Sequence, residues 1–232
     1  MMSLTNTRGR KDTSMNASEG RVFSIAAENR PVPGCTVSQL AEEKNGYYIL
    51  HFSLAEGTGI SRETYRYPKL WLTLDGGMEA LVSGRANVPV KAGDLYVTPC
   101  GVPVGVRTSQ DCVYTEITLK EGSHMNGALK AGEVFALKDL LPVQDGKIVN
   151  MDLVNDEKLK FVVMSFGAGT ALPEHAAPGE ALIFALDGEG VIGYEGKEHV
   201  IRAGENFKFA KNGAHYVKAE KPFKMALLLT LD

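Results

Sequence analysis

Residues 169–188 read GTALPEHAAPGEALIFALDG, and the same frame stands earlier in the chain at residues 57–76 as GTGISRETYRYPKLWLTLDG. Both stretches open on Gly-Thr, run into a short apolar segment and close on Leu-Asp-Gly. They lie 112 positions apart (57 and 169, 76 and 188), and Gly20-Arg-Val-Phe23 returns at that offset as Gly132-Glu-Val-Phe135. Lys91-Ala-Gly93 then matches Arg202-Ala-Gly204 at 111 positions, so one residue has been lost in a loop, where deletions are tolerated best. Anchors repeated in one order mark two homologous units.

The sequence between the anchors has the texture of strands. Twenty-five glycines and ten prolines punctuate short apolar runs such as Tyr47–Leu54, Phe161–Phe166 and Met225–Thr230, which predicts an all-β sandwich or barrel. The repeats are expected over 20–121 and 132–232. The linker 122–131 between them carries Gly122, Ser123, Asn126 and Gly127, and Leu137–Leu141 adds one short helical turn. Residues 1–19, rich in Ser, Thr, Asn and charge, read as a flexible tail rather than a secretory signal, with Met15 an alternative start.

Composition excludes several classes of function. With 25 basic and 28 acidic residues the chain has no positive surplus to attract nucleic acid or anionic lipid. Its apolar runs, such as Ala226–Leu229, fall far short of the roughly 20 residues that cross a bilayer. Cys35, Cys100 and Cys112 form neither a CxxC pair nor an even framework, which fits a cytoplasmic location, and each is expected as a buried small hydrophobe. P-loop, GxSxG, dinucleotide and HExxH signatures are missing from the sequence.

Within each repeat the spacing is specific. The second repeat reads Gly169, five residues, His175, one, Ala177, three, Ala181, six, Gly188; then Gly204, five, Ala210, one, Asn212, two, His215. The first places Glu63, Tyr65 and Lys69 between Gly57 and Gly76, and Pro99, Gly101 and Val104 after Gly93. These frames resemble the two motifs of the cupin superfamily: Gly, five residues, His, one, His, three or four, Glu, six, Gly; and Gly, five, Pro, one, Gly, two, His. The resemblance covers nearly all of both halves. It implies two tandem cupin-type double-stranded β-helix (jelly-roll) barrels. It also implies a divalent transition metal (Fe, Mn, Ni or Zn) held by His175 and His215 in the C-terminal barrel, and none in the N-terminal barrel, where no ligand position matches.

Residues two apart on a strand share a face, so imidazoles on neighbouring strands converge inside a barrel. His175 and His215 are therefore the metal or hydrogen-bonding pair, with Ala177 and Ala181 leaving two positions open. Glu180 sits one residue before the position of the family carboxylate. A regular strand turns it to the opposite face. A bulge near Pro178-Gly179 would bring it inward as third metal ligand or general base, completing a two-His, one-carboxylate set. Tyr194 and Tyr216 are candidate pocket hydroxyls. In the first barrel Glu63, Tyr65 and Lys69 form either a metal-free ligand pocket or, for Glu63 and Lys69, an internal ion pair. His51 lies in a strand and faces the first barrel's interior or is simply packed or exposed. His124 and His199 are expected in solvent, and Trp71, aligned with Ile183, in the core.

These residues support a protein that binds a small organic ligand, of sugar or carboxylate type, in its barrels. The alternatives are a metal-dependent enzyme of dioxygenase, decarboxylase, isomerase or aminohydrolase type acting from the C-terminal barrel, and a regulatory or interaction module. Nucleic acid and membrane are not expected as partners. A homodimer through sheet edges is.

Overall fold

The structure is a computed structural model that describes residues 19–232. The expected tail, Glu19 apart, and Met15 lie outside the described residues. Glu19 itself bridges to Lys208.

Strands dominate because each apolar run alternates with polar residues and ends on a turn. In chain order they are β1 (Val22–Phe23), β2 (Thr36–Lys44), β3 (Tyr47–Leu54), β4 (Gly59–Thr64), β5 (Lys69–Val82), β6 (Val88–Lys91), β7 (Asp94–Val97), β8 (Pro103–Arg107) and β9 (Cys112–Thr118). The second half follows with β10 (Val134–Ala136), β11 (Ile148–Asn155), β12 (Leu159–Phe166), β13 (Thr170–Ala176), β14 (Gly179–Tyr194), β15 (Lys197–Arg202), β16 (Asn206–Phe209), β17 (Ala214–Ala219) and β18 (Phe223–Leu231). A 3-10 turn at Leu137–Asp139 falls where a helical turn was expected. A second short helix, α1 (Ile25–Glu28), was not foreseen in the sequence; Ser24 caps it by accepting the Ala27 amide at 3.2 Å.

The strands form two nine-stranded antiparallel sheets of the same topology. One runs β2-β3-β9-β5-β7-β10 and the other β11-β12-β18-β14-β16-β1, each curling round through a second group, β4-β8-β5-β6 and β13-β17-β14-β15. The first strand of each repeat is exchanged. Val22 and Phe23 pair with Phe207 and Asn206 of the second half, while Val134–Ala136 pairs with Asp94–Tyr96 of the first.

The long strands β5 and β14 serve both groups of their sheets, and each shifts register at the Leu-Asp-Gly anchor, between Thr73 and Asp75 and between Ala185 and Asp187. Gly76 and Gly188 have φ of 68° and 74°, and a Cβ there would stand 1.9 Å from the Asp111 carbonyl oxygen and 2.2 Å from that of Pro222. Only glycine tolerates both the conformation and the contact.

Three apolar clusters result. Trp71, Tyr96, Tyr114 and Val104 fill the first barrel, and Phe207, Phe209, Ile183 and Tyr194 the second. The largest cluster lies between the barrels and draws on both, with Ile49, Leu70 and Ile117 against Phe161, Phe184 and Leu228. Cys112 is buried as expected, whereas Cys35 and Cys100 are exposed, because both sit in loops beside proline and glycine rather than on a strand.

Candidate functional site

His175 and His215 are directly opposite each other on β13 and β17, with ring centroids 4.4 Å apart. The β13 register shifts between Leu172 and His175, and β4 shifts at the matching place, between Ile60 and Glu63. A bulge just before the motif position is therefore built into both repeats, and it aims the first histidine at the second.

Both rings are held the same way. The Nδ1–H of His175 donates to the Pro173 carbonyl at 2.9 Å, and that of His215 to the Gly213 carbonyl at 2.8 Å. A carbonyl only accepts, so each bond fixes the tautomer and leaves Nε2 as the lone-pair nitrogen. No described residue takes either Nε2. His215 is buried and stacks on Phe209, centroids 4.0 Å apart, while His175 is exposed at the rim. Burial, and secondarily the neighbouring His175, lower the His215 pKa against a raising contribution from its bond to Gly213. The ring is neutral at neutral pH.

Glu180 does not join the pair. The register of β14 against β18 runs without a break from Gly179 to Ala185, so no bulge forms at Pro178-Gly179 and strand alternation holds. Ala181, at the family carboxylate position, faces the second barrel's core, and Glu180 faces the other barrel, where its carboxylate meets Lys208 Nζ at 2.6 Å. Among the described residues no three His, Cys, Asp or Glu side chains are grouped as metal ligands. Catalytic metal sites ordinarily have three protein ligands. The two imidazoles do not make such a set.

The tyrosines separate. Tyr194 packs among Phe207 and Phe209 in the second barrel, its hydroxyl accepting the Ala210 amide at 3.3 Å and donating to Glu19 at 3.2 Å. Tyr216 follows the inward His215 and so points outward over Gly193, where it joins Glu198 and Lys218 on the surface; it lies outside the pocket it was assigned to.

In the first barrel the expected partner of Lys69 was Glu63, and the structure replaces it with Glu116. Lys69 Nζ reaches Glu116 at 2.7 Å and lies 4.2 Å over the Tyr65 ring. Glu116, 3 % exposed, also accepts Trp71 Nε1 at 2.8 Å. Lys69, Trp71 and Glu116 share the inward face, whereas exposed Glu63 sits opposite Val104, in the register that His175 and His215 occupy in the second barrel. Burial first, then the Glu116 and Glu63 charges, raise the Tyr65 phenol well above its usual range. Sequence reading missed Glu116; the signal was a carboxylate in the apolar run Cys112–Thr118, where the repeat has Leu227.

Of the other histidines, His51 takes the packed alternative and His199 differs from expectation. His51 faces away from the first barrel's interior into a hollow between the barrels, with Nδ1 3.0 Å from Thr115 Oγ1, because it alternates with Phe52 and Leu54, which take the interior. His199 is half-buried against Phe207 at 5.1 Å, since it pairs with core residue Ile192, and its Nε2 is buried without a partner. His124 is exposed beside Asp156.

The cupin domain family profile matches residues 162–231, most of the second barrel. No curated protein matches the chain. Among solved structures, the chain resembles a cupin 2 conserved barrel domain protein from Leptotrichia buccalis at 26% identity and TM-score 0.82, covering 93% of this chain and 99% of that one. A salicylate 1,2-dioxygenase from Pseudaminobacter salicylatoxidans shares the fold at 13% identity and TM-score 0.58, over 79% of this chain and 70% of that one. Oxalate decarboxylase from Bacillus subtilis, a protein with Mn(II) centres, does so at 12% identity and TM-score 0.52, over 92% and 78%. No helix among the described residues is long and apolar enough to cross a membrane. Residues 162–231 thus match the cupin domain family, and the chain as a whole has the cupin fold, with two jelly-roll barrels in tandem.

Proposed function

We propose that the second barrel binds a small hydroxylated molecule of sugar type at the His175–His215 pair. The observation that carries this reading is the locked tautomer of both rings, which presents two Nε2 lone pairs side by side at the barrel rim. A neutral imidazole held at Nδ1 accepts at Nε2, and its natural partner is an O–H donor; a vicinal diol offers two. A carboxylate would instead need a protonated ring, which burial opposes at His215. The first barrel plays a scaffolding part in this reading, its interior being filled by Trp71, Tyr96 and Tyr114.

The metal-dependent alternative rests on the same pair and on the likeness in fold to a dioxygenase and a decarboxylase. It lacks a third protein ligand, since Ala181 has no donor and Glu180 is paired with Lys208. Thermal shift against sugars, polyols and small carboxylates tests the proposal, because a ligand of the folded state raises its melting temperature by mass action. At pH 7.5 sugars or polyols are expected to raise it, and His215→Ala to abolish the effect. A shift by carboxylates alone, or one that survives in His175→Ala/His215→Ala, contradicts the proposal. Elemental analysis of protein purified without chelator is expected to find less than one metal per chain; a full equivalent lost in the His variants would favour the metal reading.

A further inference from the structure

Between the barrels lies a hollow of about 200 Å3, room for roughly seven waters at ~30 Å3 each. It is separate from the His175–His215 pair, and its wall sets Glu42, His51, Glu180 and Lys208, with Glu28, Asn29 and Gln39, among apolar residues that include Phe23, Ile49 and Leu228. Lys208, 7 % exposed, is bound to Glu180, and Glu42 accepts the Thr230 hydroxyl. His51 is held neutral by burial, which pushes its pKa down to about 4. The lining thus sets Glu42 and Glu180 against the Lys208 ammonium; Lys44 lies near both carboxylates but is bound to Asp232 at 2.5 Å, and Glu28 at the edge is offset by Arg21 at 2.8 Å.

The repeat supplies an internal comparison. Matching positions in the other half are read directly from strand register: Glu42 pairs with Ile49 as Val154 pairs with Phe161, Gln39 with His51 as Met151 with Val163, and Leu182 with Lys208 as Leu70 with Val97. Glu42, His51 and Lys208 therefore stand where the related place has Val154, Val163 and Val97, all fully buried. Ala41, in the β2 bulge, stands where Leu153 fills the β11 bulge. One copy of the interface is a closed apolar core. The other has a smaller residue and three polar ones, at positions where aliphatic side chains fit the same backbone. Buried charge without a role lowers stability relative to apolar residues of similar size.

We propose that this hollow binds a small primary amine with a short apolar tail, its ammonium between Glu42 and Glu180 and its tail against Phe23, Ile49 and Leu228. With Lys44 drawn off by Asp232, the ammonium adds positive charge between the two carboxylates and satisfies lone pairs that Thr230 and Lys208 leave open. Burial raises the Glu42 pKa, with Glu180 adding to it and the Thr230 hydrogen bond and the Lys208 and Lys44 charges opposing it, so that amine binding draws a proton off Glu42 and tightens as pH rises.

Isothermal titration of the full chain with n-pentylamine tests this, with n-pentanol and pentanoate as controls. Binding by the amine alone is expected, with affinity falling tenfold or more in Glu42→Gln. Ala41→Leu, which installs the residue of the closed copy, is expected to abolish binding while raising the melting temperature. His175→Ala/His215→Ala should leave amine binding unchanged, which keeps this result independent of the ligand proposed for the second barrel. Equal binding of pentanol or pentanoate, no binding of the amine, or undiminished binding in a folded Ala41→Leu variant would each overturn the proposal.

Discussion

Glu116 carries a buried charge held by two donors, Lys69 Nζ and Trp71 Nε1. Removing one partner of such a pair strands the other, whereas replacing both by apolar groups is close to neutral. Lys69→Met is therefore expected to lower unfolding free energy by about 3 kcal/mol in urea titration. Lys69→Met/Glu116→Leu, which gives the second position the residue its repeat partner Leu227 already has, should recover only part of that loss, because the buried Trp71 Nε1–H then has no acceptor. His51 makes a pH-dependent contribution. The unfolded chain takes up a proton at the ordinary histidine value near 6.5, while the folded ring resists until about 4. The unfolded state thus holds more protons in that window and stability rises with pH across it, by up to about 3 kcal/mol. Glu42, whose raised pKa keeps a proton on the folded state, opposes this above about pH 4.5. Melting temperature is expected to rise between pH 4.5 and 6.5, and the slope to flatten in His51→Gln.

At the scale of elements, the glycine frame and the strand runs were legible because each rests on a local requirement: a positive φ, a close backbone contact, an alternating face. The bulges were half-legible. Two of them precede the motif positions and lie at Pro173-Glu174 and Ser61-Arg62, while the sequence pointed to Pro178-Gly179, where strand register stays continuous. That misplacement is why Glu180 had two open readings, and pairing with β18 on one side and β16 on the other removes the inward one. The partner of Lys69 was illegible for a different reason, since Glu116 is 47 residues away and only the β5–β9 register brings it across. The exchanged strands were invisible to a reading that assigned each repeat its own strands. Asn206 secures that exchange, its Oδ1 accepting the Ile25 amide at 3.0 Å and its Nδ2 donating to the Ile183 carbonyl at 3.1 Å. Asn206→Ala leaves both backbone groups unsatisfied and is expected to cost about 2–3 kcal/mol. Faster hydrogen exchange at the Ile25 amide would show that the loss is local to α1.

For the whole molecule, the exchange of β1 and β10 and the shared cluster between the barrels mean that neither half is complete alone. Calorimetry is expected to show a single cooperative transition with matching calorimetric and van't Hoff enthalpies; two resolved transitions would show that the barrels fold separately. The two halves have divided their tasks: aromatic side chains and a Lys-Glu pair close the first barrel, and the second keeps two imidazoles at its rim. That division rests on the state of those rings, which nitrogen-15 NMR of histidine-labelled protein reads directly. At pH 7.5 both His175 and His215 should carry the proton on Nδ1, with an Nε2 resonance typical of an unprotonated nitrogen that moves when a sugar ligand is added. Protonation at Nε2 in either ring, or Nε2 resonances unmoved by a sugar that binds, would contradict the account.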